Sequence, residues 1–557
     1  GRYAEVEPLL KRSLEIKEKA LVPDHPDVAR VLGNLSLFYS TQSDQKSALT
    51  FIRRGSSILR KRLGRASGER SIGDTREQLT KQGYHLFHVR MVSRARGALD
   101  EPAGALKSES FEAGQLANVT AAGSAVSRMA VRFAAGDDQL AKLVRSRQDT
   151  ANSWRLRDKE LIEALGQVPD KRNKELEQNL RRQLASLDDR LISLDEQLTD
   201  QFPTYTALTT RQPLALSHAQ SLVGPDEALL TYLVGDEESY LWVVRRDRSE
   251  FYEIELTGLE LAKAVQALRK GLDPKGIINL RQVRQRPFDT TQAYELYKKL
   301  FAPAEKLLEG VRHVMVVPDG ALQSLPLGVL VTKEPQGSFK DYSGYRQVPW
   351  LAKKYALTTL PSVSSLKALR VFAKKGNAKQ PFVGFGDPVL DGEAGTQGGV
   401  ELANVFIRGS IVDVEKLKSL ESLPDTANEL RAMAESLNAG EDSVYLGPRA
   451  TESRVKEMDL SDVRVLAFAT HGLIAGKWKG ESEPGLVLTP PAKGTEGDNG
   501  YLTASEVAQL KLNADWVILS ACNTASPDGT PGAEALSGLA KAFFYAGSRA
   551  LLVSHWN

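Results

Sequence analysis

Cysteine is nearly absent: the 557-residue chain has one, Cys522. A single thiol excludes an intrachain disulfide framework and a four-thiolate zinc site. It fits a reducing, cytoplasmic compartment. Long apolar runs are missing too. Runs such as residues 465–469 and 550–553 have strand length, well short of the roughly 18–20 residues of a membrane-spanning helix. Charge of one sign is also lacking. Lysine and arginine number 73 against 70 acids, a formal net charge of +3, which is too weak for a direct nucleic-acid partner and reads as a surface of mixed charge. There is no G-x-x-x-x-G-K-[ST] loop, no G-x-S-x-G elbow, no H-E-x-x-H pair and no paired-cysteine pattern, so nothing calls for a nucleotide, a metal or another cofactor. Gly384-Phe385-Gly386 is too short a glycine signal to stand for a nucleotide site.

What remains is an ordinary soluble composition, 41% hydrophobic and 26% charged, in a chain long enough for three or four domains. Residues 1–62 hold a repeat. Residues 3–12 align with residues 45–54 at an offset of 42, with Leu9 over Phe51, Leu10 over Ile52 and, farther on, Ile16 over Ile58. Between them Val28, Leu32, Leu35 and Phe38 keep helical spacing, and Pro26 suits a first helical turn. This resembles the long form of the tetratricopeptide repeat, which implies a concave surface for a regulatory protein partner. About one and a half repeats are present where a stack needs about three, so the chain reads as a fragment whose repeats continue upstream. A plain helical hairpin is the alternative.

Residues 63–205 read as a helical, charge-rich linker region. Leu180, Leu184, Leu187, Leu191, Leu194 and Leu198 alternate steps of four and three, a heptad-like stripe. Two long antiparallel helices broken near residues 166–169 account for it. The basic residues here, among them Arg145, Arg147, Arg155, Arg172 and Arg181, are interspersed with acids and are expected to form a solvated face.

From about residue 206 strands alternate with helices. A hairpin is expected over 228–234 and 240–244, with 251–256 extending it. Further strands are expected at 313–317, 382–385, 463–469, 515–519 and 549–554, and helices at 259–272, 291–308, 426–437, 504–510 and 538–545. The fold class is therefore an α-helical N-terminal part followed by an α/β domain, 206–557, with a mostly parallel sheet covered on both faces.

Two of these strands end in reactive side chains. One runs through Phe468-Ala469-Thr470-His471-Gly472, the other through Leu519-Ser520-Ala521-Cys522-Asn523. Sites in open parallel sheets form beyond the carboxyl ends of strands. If the two strands are neighbours, His471 and Cys522, 51 residues apart, stand side by side there. An imidazole next to a thiol can take its proton or stabilise the thiolate. The backbone N–H groups of Gly472 and Cys522 would form an oxyanion hole. A lone cysteine at a strand end is more often inert core; the matching histidine argues against that.

The segments "FATHG" and "ILSACNTA" are similar to those of the CHAT family, caspase-like domains associated with tetratricopeptide repeats. In order along the chain, "VVPDGALQSLPLGVL", "LTTLPSVSSL", "VGFGDPVL", "LPDTANEL", "YLGPRATES" and "GAEALSGLAKAFFYAGSRALLVSHW" carry the same resemblance over roughly 206–557. It implies a cysteine endopeptidase related to caspases, separases and gingipains, with His471 as general base and Cys522 as nucleophile, acting on a protein or peptide through a thioester. Family members continue beyond the position of Asn557, with a loop that shapes the specificity pocket, so the C-terminal end also reads as truncated. Asp528 and Glu534 could receive a basic substrate side chain; equally, Glu534 would cap the following helix and Asp528 be a solvated loop charge. Asp319 and Asp387 are expected in turns, and His25, His85, His88, His218, His313 and His555 in structural or surface roles. The competing readings are a non-catalytic scaffold with a caspase-like docking domain, and a thiol hydrolase or transferase for a small molecule.

Overall fold

The computed structural model describes residues 3–21, 25–65, 75–97, 99, 101–118, 138–167, 170, 172–202, 213–272, 287–335, 343–372, 378–392, 406–407, 411–412, 414–473, 484–495, 497–521 and 538–553. The chain divides into two compact units. The first comprises residues 1–255, 306–317 and 358–368; the second comprises 256–305, 318–357 and 369–557.

The first unit opens with helices α1 (Tyr3–Ala20), α2 (Pro26–Thr41) and α3 (Gln45–Arg65). Pro26 starts α2, where its missing N–H costs nothing, and His25 caps it, its Nδ1 accepting from the Asp27 N–H at 3.0 Å. Val28, Val31, Leu32 and Leu35 line one face of α2 and pack with Leu14, Ile58 and Leu59. The 42-residue correspondence does not extend to burial. Ile58 is 5% exposed, but Ile16, its counterpart in α1, is 53% exposed. α3 packs against both α2 and α4 (Thr75–Ala95), whereas α1 packs against α2.

The linker helices run Asp138–Leu165 and Lys174–Gln201, with the break between them. Leu180, Leu184 and Leu191 of the leucine stripe pack on Ala151, Trp154 and Leu161. One expectation fails here. Arg147 does not belong to a solvated face: it is 12% exposed and pairs across the helices with Asp195, Nη2 to Oδ2 at 3.1 Å. Spacing along one helix cannot reveal a partner on another.

Strands β1 (Glu227–Val234), β2 (Ser239–Val244) and β3 (Ser249–Ile254) form the expected antiparallel hairpin and its extension, and β1 also pairs in parallel with β4 (His313–Val317). With β5 (Ala356–Thr359) the sheet order is β3-β2-β1-β4-β5. Helix α5 (Ala103–Ala117) lies on Trp242 of β2, and the indole Nε1–H donates to Ser110 Oγ at 2.9 Å.

In the second unit, the helix expected over 291–308 stops at Leu300. Pro303 starts a separate single turn, Ala302–Ala304, because proline lacks the N–H that would continue the ladder. Beyond it come β6 (Gln380–Gly386), the short pair β7 (Phe406–Ile407) and β8 (Ile411–Val412), β9 (Val444–Leu446), β10 (Val463–Ala469), β11 (Gly472–Leu473), β12 (Gly485–Val487), β13 (Tyr501–Thr503), β14 (Trp516–Ser520) and β15 (Leu551–Val553).

Five of these form one sheet, ordered β15-β14-β10-β6-β9, and every neighbouring pair is parallel. Val465, Ala467 and Ala469 face Leu430 and Ala434 of the Asp425–Ser436 helix, while Leu466 and Phe468 face Phe543 of the Gly538–Ala546 helix. Burial on both faces explains why β10 reads as an almost unbroken apolar run. The rings of Tyr445, Phe385, Phe468 and Phe543 succeed one another at 5.1, 5.6 and 5.5 Å. Gly386 is needed for this packing. A Cβ there would lie 2.6 Å from Leu430 Cδ1 and 2.7 Å from the Ala469 carbonyl oxygen.

Candidate functional site

His471 lies two residues beyond the end of β10, at the carboxyl edge of the parallel sheet. Three contacts hold it. Ahead of it, buried Thr470 donates its hydroxyl to the Val487 carbonyl. The His471 carbonyl accepts from the Val487 N–H at 2.9 Å. The ring itself meets the backbone of Glu421, Nε2 to carbonyl oxygen at 2.8 Å. A carbonyl oxygen only accepts, so Nε2 carries the proton. In the neutral ring Nδ1 is then the basic nitrogen.

β11 is the edge strand of a three-stranded sheet ordered β11-β12-β13, with Gly472 opposite Leu486. The Val487-to-His471 bond makes this a non-hydrogen-bonded pair of the antiparallel ladder. The Gly472 N–H is therefore not spent on Leu486 and points away from β12.

β14 is the neighbour of β10 on the side opposite β6, and its register sets Ala469 level with Ser520. Cys522 is two residues past Ser520, as His471 is two residues past Ala469. Cys522, Asp528 and Glu534 themselves lie outside the described residues.

The other singled-out residues take structural places. Asp387, one residue past β6, adopts φ +46°. Its N–H donates to Thr426 Oγ1 at 2.9 Å, and its carbonyl accepts from the Gly447 N–H at 3.0 Å. This is the turn expected of it. Burial pushes its carboxyl up, with Arg431 acting the other way. The carbonyl of Asp319 accepts from the Leu322 N–H in the turn after β4. His88 meets Glu109 at 2.8 Å, and His313 meets Glu227 and Thr358 at 3.3 and 2.8 Å. His85 is fully buried, His218 sits in the short helix Leu216–Leu222, and His555 lies outside the described residues. Gly384 and Gly386 make room for packing side chains.

Sequence reasoning missed Glu421. Its contribution is a backbone oxygen, so residue type gives no signal. It also missed the brace below the site. Glu452, fully buried, accepts from the N–H groups of Asn499 and Gly500 at 2.7 and 2.9 Å and pairs with Lys456, which also reaches Glu506 at 2.7 Å. These contacts anchor the glycine-rich turn that leads into β13.

Among the described residues no helix is long and apolar enough to cross a membrane. Comparison with known families matches a CHAT domain to residues 290–557 and a tetratricopeptide repeat to residues 1–61. No curated protein matches the chain. Residues 290–557, which contain the whole parallel sheet and His471, are thus a CHAT domain of the caspase-like peptidase family, with tetratricopeptide repeats ahead of it at 1–61.

Proposed function

We propose that this chain is a cysteine endopeptidase of the caspase/separase type, with Cys522 as nucleophile and His471 as general base. One observation carries the reading: the parallel register that sets Ala469 level with Ser520. Were it to continue for two residues on each strand, His471 would stand level with Cys522 at the edge where parallel sheets build their sites. The protonated Nε2 of His471 supports it, since it leaves Nδ1 to take the thiol proton.

In the reaction the Cys522 thiolate attacks the scissile carbonyl carbon. Its oxyanion is met by the N–H groups of Gly472 and Cys522. The C–N bond breaks, the leaving amine takes the proton from His471, and a thioester joins Cys522 to the acyl half. Water then gives a proton to His471, attacks the thioester and frees the acid and the thiol. An extended substrate would bind by adding to a strand edge. Asp528 and Glu534 are proposed to meet a basic substrate side chain. The repeats suit recruitment by, or regulation through, a protein partner. The same proposal takes 1–62 as repeat, 63–205 as linker region and 206–557 as peptidase domain, supported by strands appearing from Glu227 onward, after the short helix Leu216–Leu222.

The test is cleavage of a peptide library by wild type, Cys522→Ala and His471→Ala, with candidate partner proteins present. Loss of at least about 10³-fold in both variants is expected. Cleavage by Cys522→Ala at the wild-type rate, or by none of the three, turns the reading to a docking scaffold.

A further inference from the structure

The carbonyl that meets His471 sits in a segment fixed from its other side by a glycine. Gly392 and Glu421 form a parallel bridge outside the named strands. The Gly392 N–H donates to the Leu420 carbonyl at 3.0 Å, and the Ser422 N–H donates to the Gly392 carbonyl at 3.1 Å. These two bonds bracket Glu421, whose own carbonyl is left to turn to His471 Nε2.

The bridge closes because residue 392 has no side chain. A Cβ there would stand 2.5 Å from the Leu420 carbonyl oxygen, 2.6 Å from its carbon and 2.7 Å from the Ser419 carbonyl oxygen. All three are backbone atoms, so no rotamer change relieves the clash. The segment has little room to slide away as a whole. Leu417 and Leu420 are buried in a cluster with Leu390, Val487 and Tyr501, and interiors packed this closely transmit strain. Val487 is also the residue that holds the His471 backbone. Ring and backbone of the histidine are thus referred to the same cluster.

We propose that Gly392 is a positioning residue for His471: its bare backbone lets the 420–422 segment close, which sets the Glu421 carbonyl against Nε2 and reserves Nδ1 as the base. The kinetic half of this proposal rests on the peptidase reading; the tautomer half does not.

The experiment uses the full chain labelled with ¹⁵N-histidine, with the His471 signals identified by their loss in His471→Gln. In wild type the neutral ring is expected as the Nε2–H tautomer. In Gly392→Ala it becomes a mixture of tautomers. The library substrate then shows kcat lower by about 10- to 100-fold with KM nearly unchanged. A merely structural glycine would lower the melting temperature and leave the tautomer alone, and that result overturns the proposal. So does an Nδ1–H tautomer in wild type, a measurement that needs no variant. If Gly392→Ala does not fold, Ser422→Pro, which keeps the glycine and removes the N–H given to its carbonyl, carries the same expectation. Wild type and Cys522→Ala cleaving alike would sink the peptidase reading while leaving the tautomer result to stand or fall by itself.

Discussion

Among the described residues are two five-stranded sheets, and they differ in direction. In the first, β1 lies antiparallel to β2 and parallel to β4, so amino and carboxyl strand ends are mixed along each edge. In the second, all five strands are parallel, and every carboxyl end opens on one edge. His471 lies just beyond that edge, as does Ala521 after β14. A mixed sheet can be as well packed, as the fully buried β2 shows, yet it gathers no set of loops at one end. What distinguishes the sheet of the proposed site is alignment, and alignment depends on both faces being covered so that the strands hold register.

The sharpest way to break the comparison is to empty one sheet and then the other. Phe468 stands at the middle of the ring series and two residues before Thr470. Phe468→Ala is expected to cost about 3–5 kcal/mol and to lower peptidase activity in the remaining folded protein. Trp242→Phe in the first sheet keeps the ring stack on Phe251 at 5.0 Å. It loses the Ser110 hydrogen bond and opens space over Gly114. About 2 kcal/mol is expected, with activity per folded molecule unchanged. Thermal melts and active-site titration separate the two outcomes; equal loss of activity would mean that the sheets do not differ in role.

How much of this was legible in the sequence follows from the same contrast. β10 was readable to the residue, Val463–Ala469, because burial on both faces leaves an apolar run bounded by Asp462 and Thr470. The strand before Cys522, expected at 515–519, runs Trp516–Ser520; only Val517 and Leu519 on one face are buried, and Trp516 on the other is exposed. The helix from Thr290 was overextended, since Pro303 was read through where it ends the ladder. Arg147 was misread because its partner, Asp195, lies 48 residues away on another helix. The Glu421 contact was not readable at all. Fifty residues separate Glu421 from His471, and a backbone oxygen carries no residue signature. Gly392 gave no signal either, because its fit depends on the backbone of Ser419 and Leu420 elsewhere in the chain.

Acid tests the helical region that accompanies the first sheet. Glu109 is held by Arg53 and His88, and Arg53 also binds Glu101. Burial would push the Glu109 carboxyl up, but hydrogen bonds from His88 and Arg53 overcome this and hold it at about 2. A carboxyl lowered from its unfolded value near 4.3 stabilises the fold fully above that value and loses the contribution as pH falls toward about 2. Melting temperature of wild type should therefore drop between pH 4 and 2 more steeply than that of Glu109→Gln, which has no carboxyl to protonate. Parallel curves would show that other groups govern the acid response.

The smallest expected effect lies beside the sheet of the proposed site. Thr503 caps the turn Ala504–Val507 in a reciprocal box: its hydroxyl accepts from the Glu506 N–H, and the Glu506 carboxylate accepts from the Thr503 N–H at 2.9 Å. Glu506 also binds Lys456, the partner of buried Glu452, which holds the turn at Asn499 and Gly500. Thr503→Ala removes the hydroxyl and leaves the carboxylate in place, so a loss of about 1 kcal/mol is expected, read as a shift of the denaturant midpoint at constant slope. The β12–β13 pairing that continues from this cap includes Val487, which holds the His471 backbone. If the cap only ends a turn, activity follows the folded fraction. If it tensions β12, kcat falls further than the folded fraction does, and the support of His471 then extends from the parallel sheet into the small antiparallel one beside it.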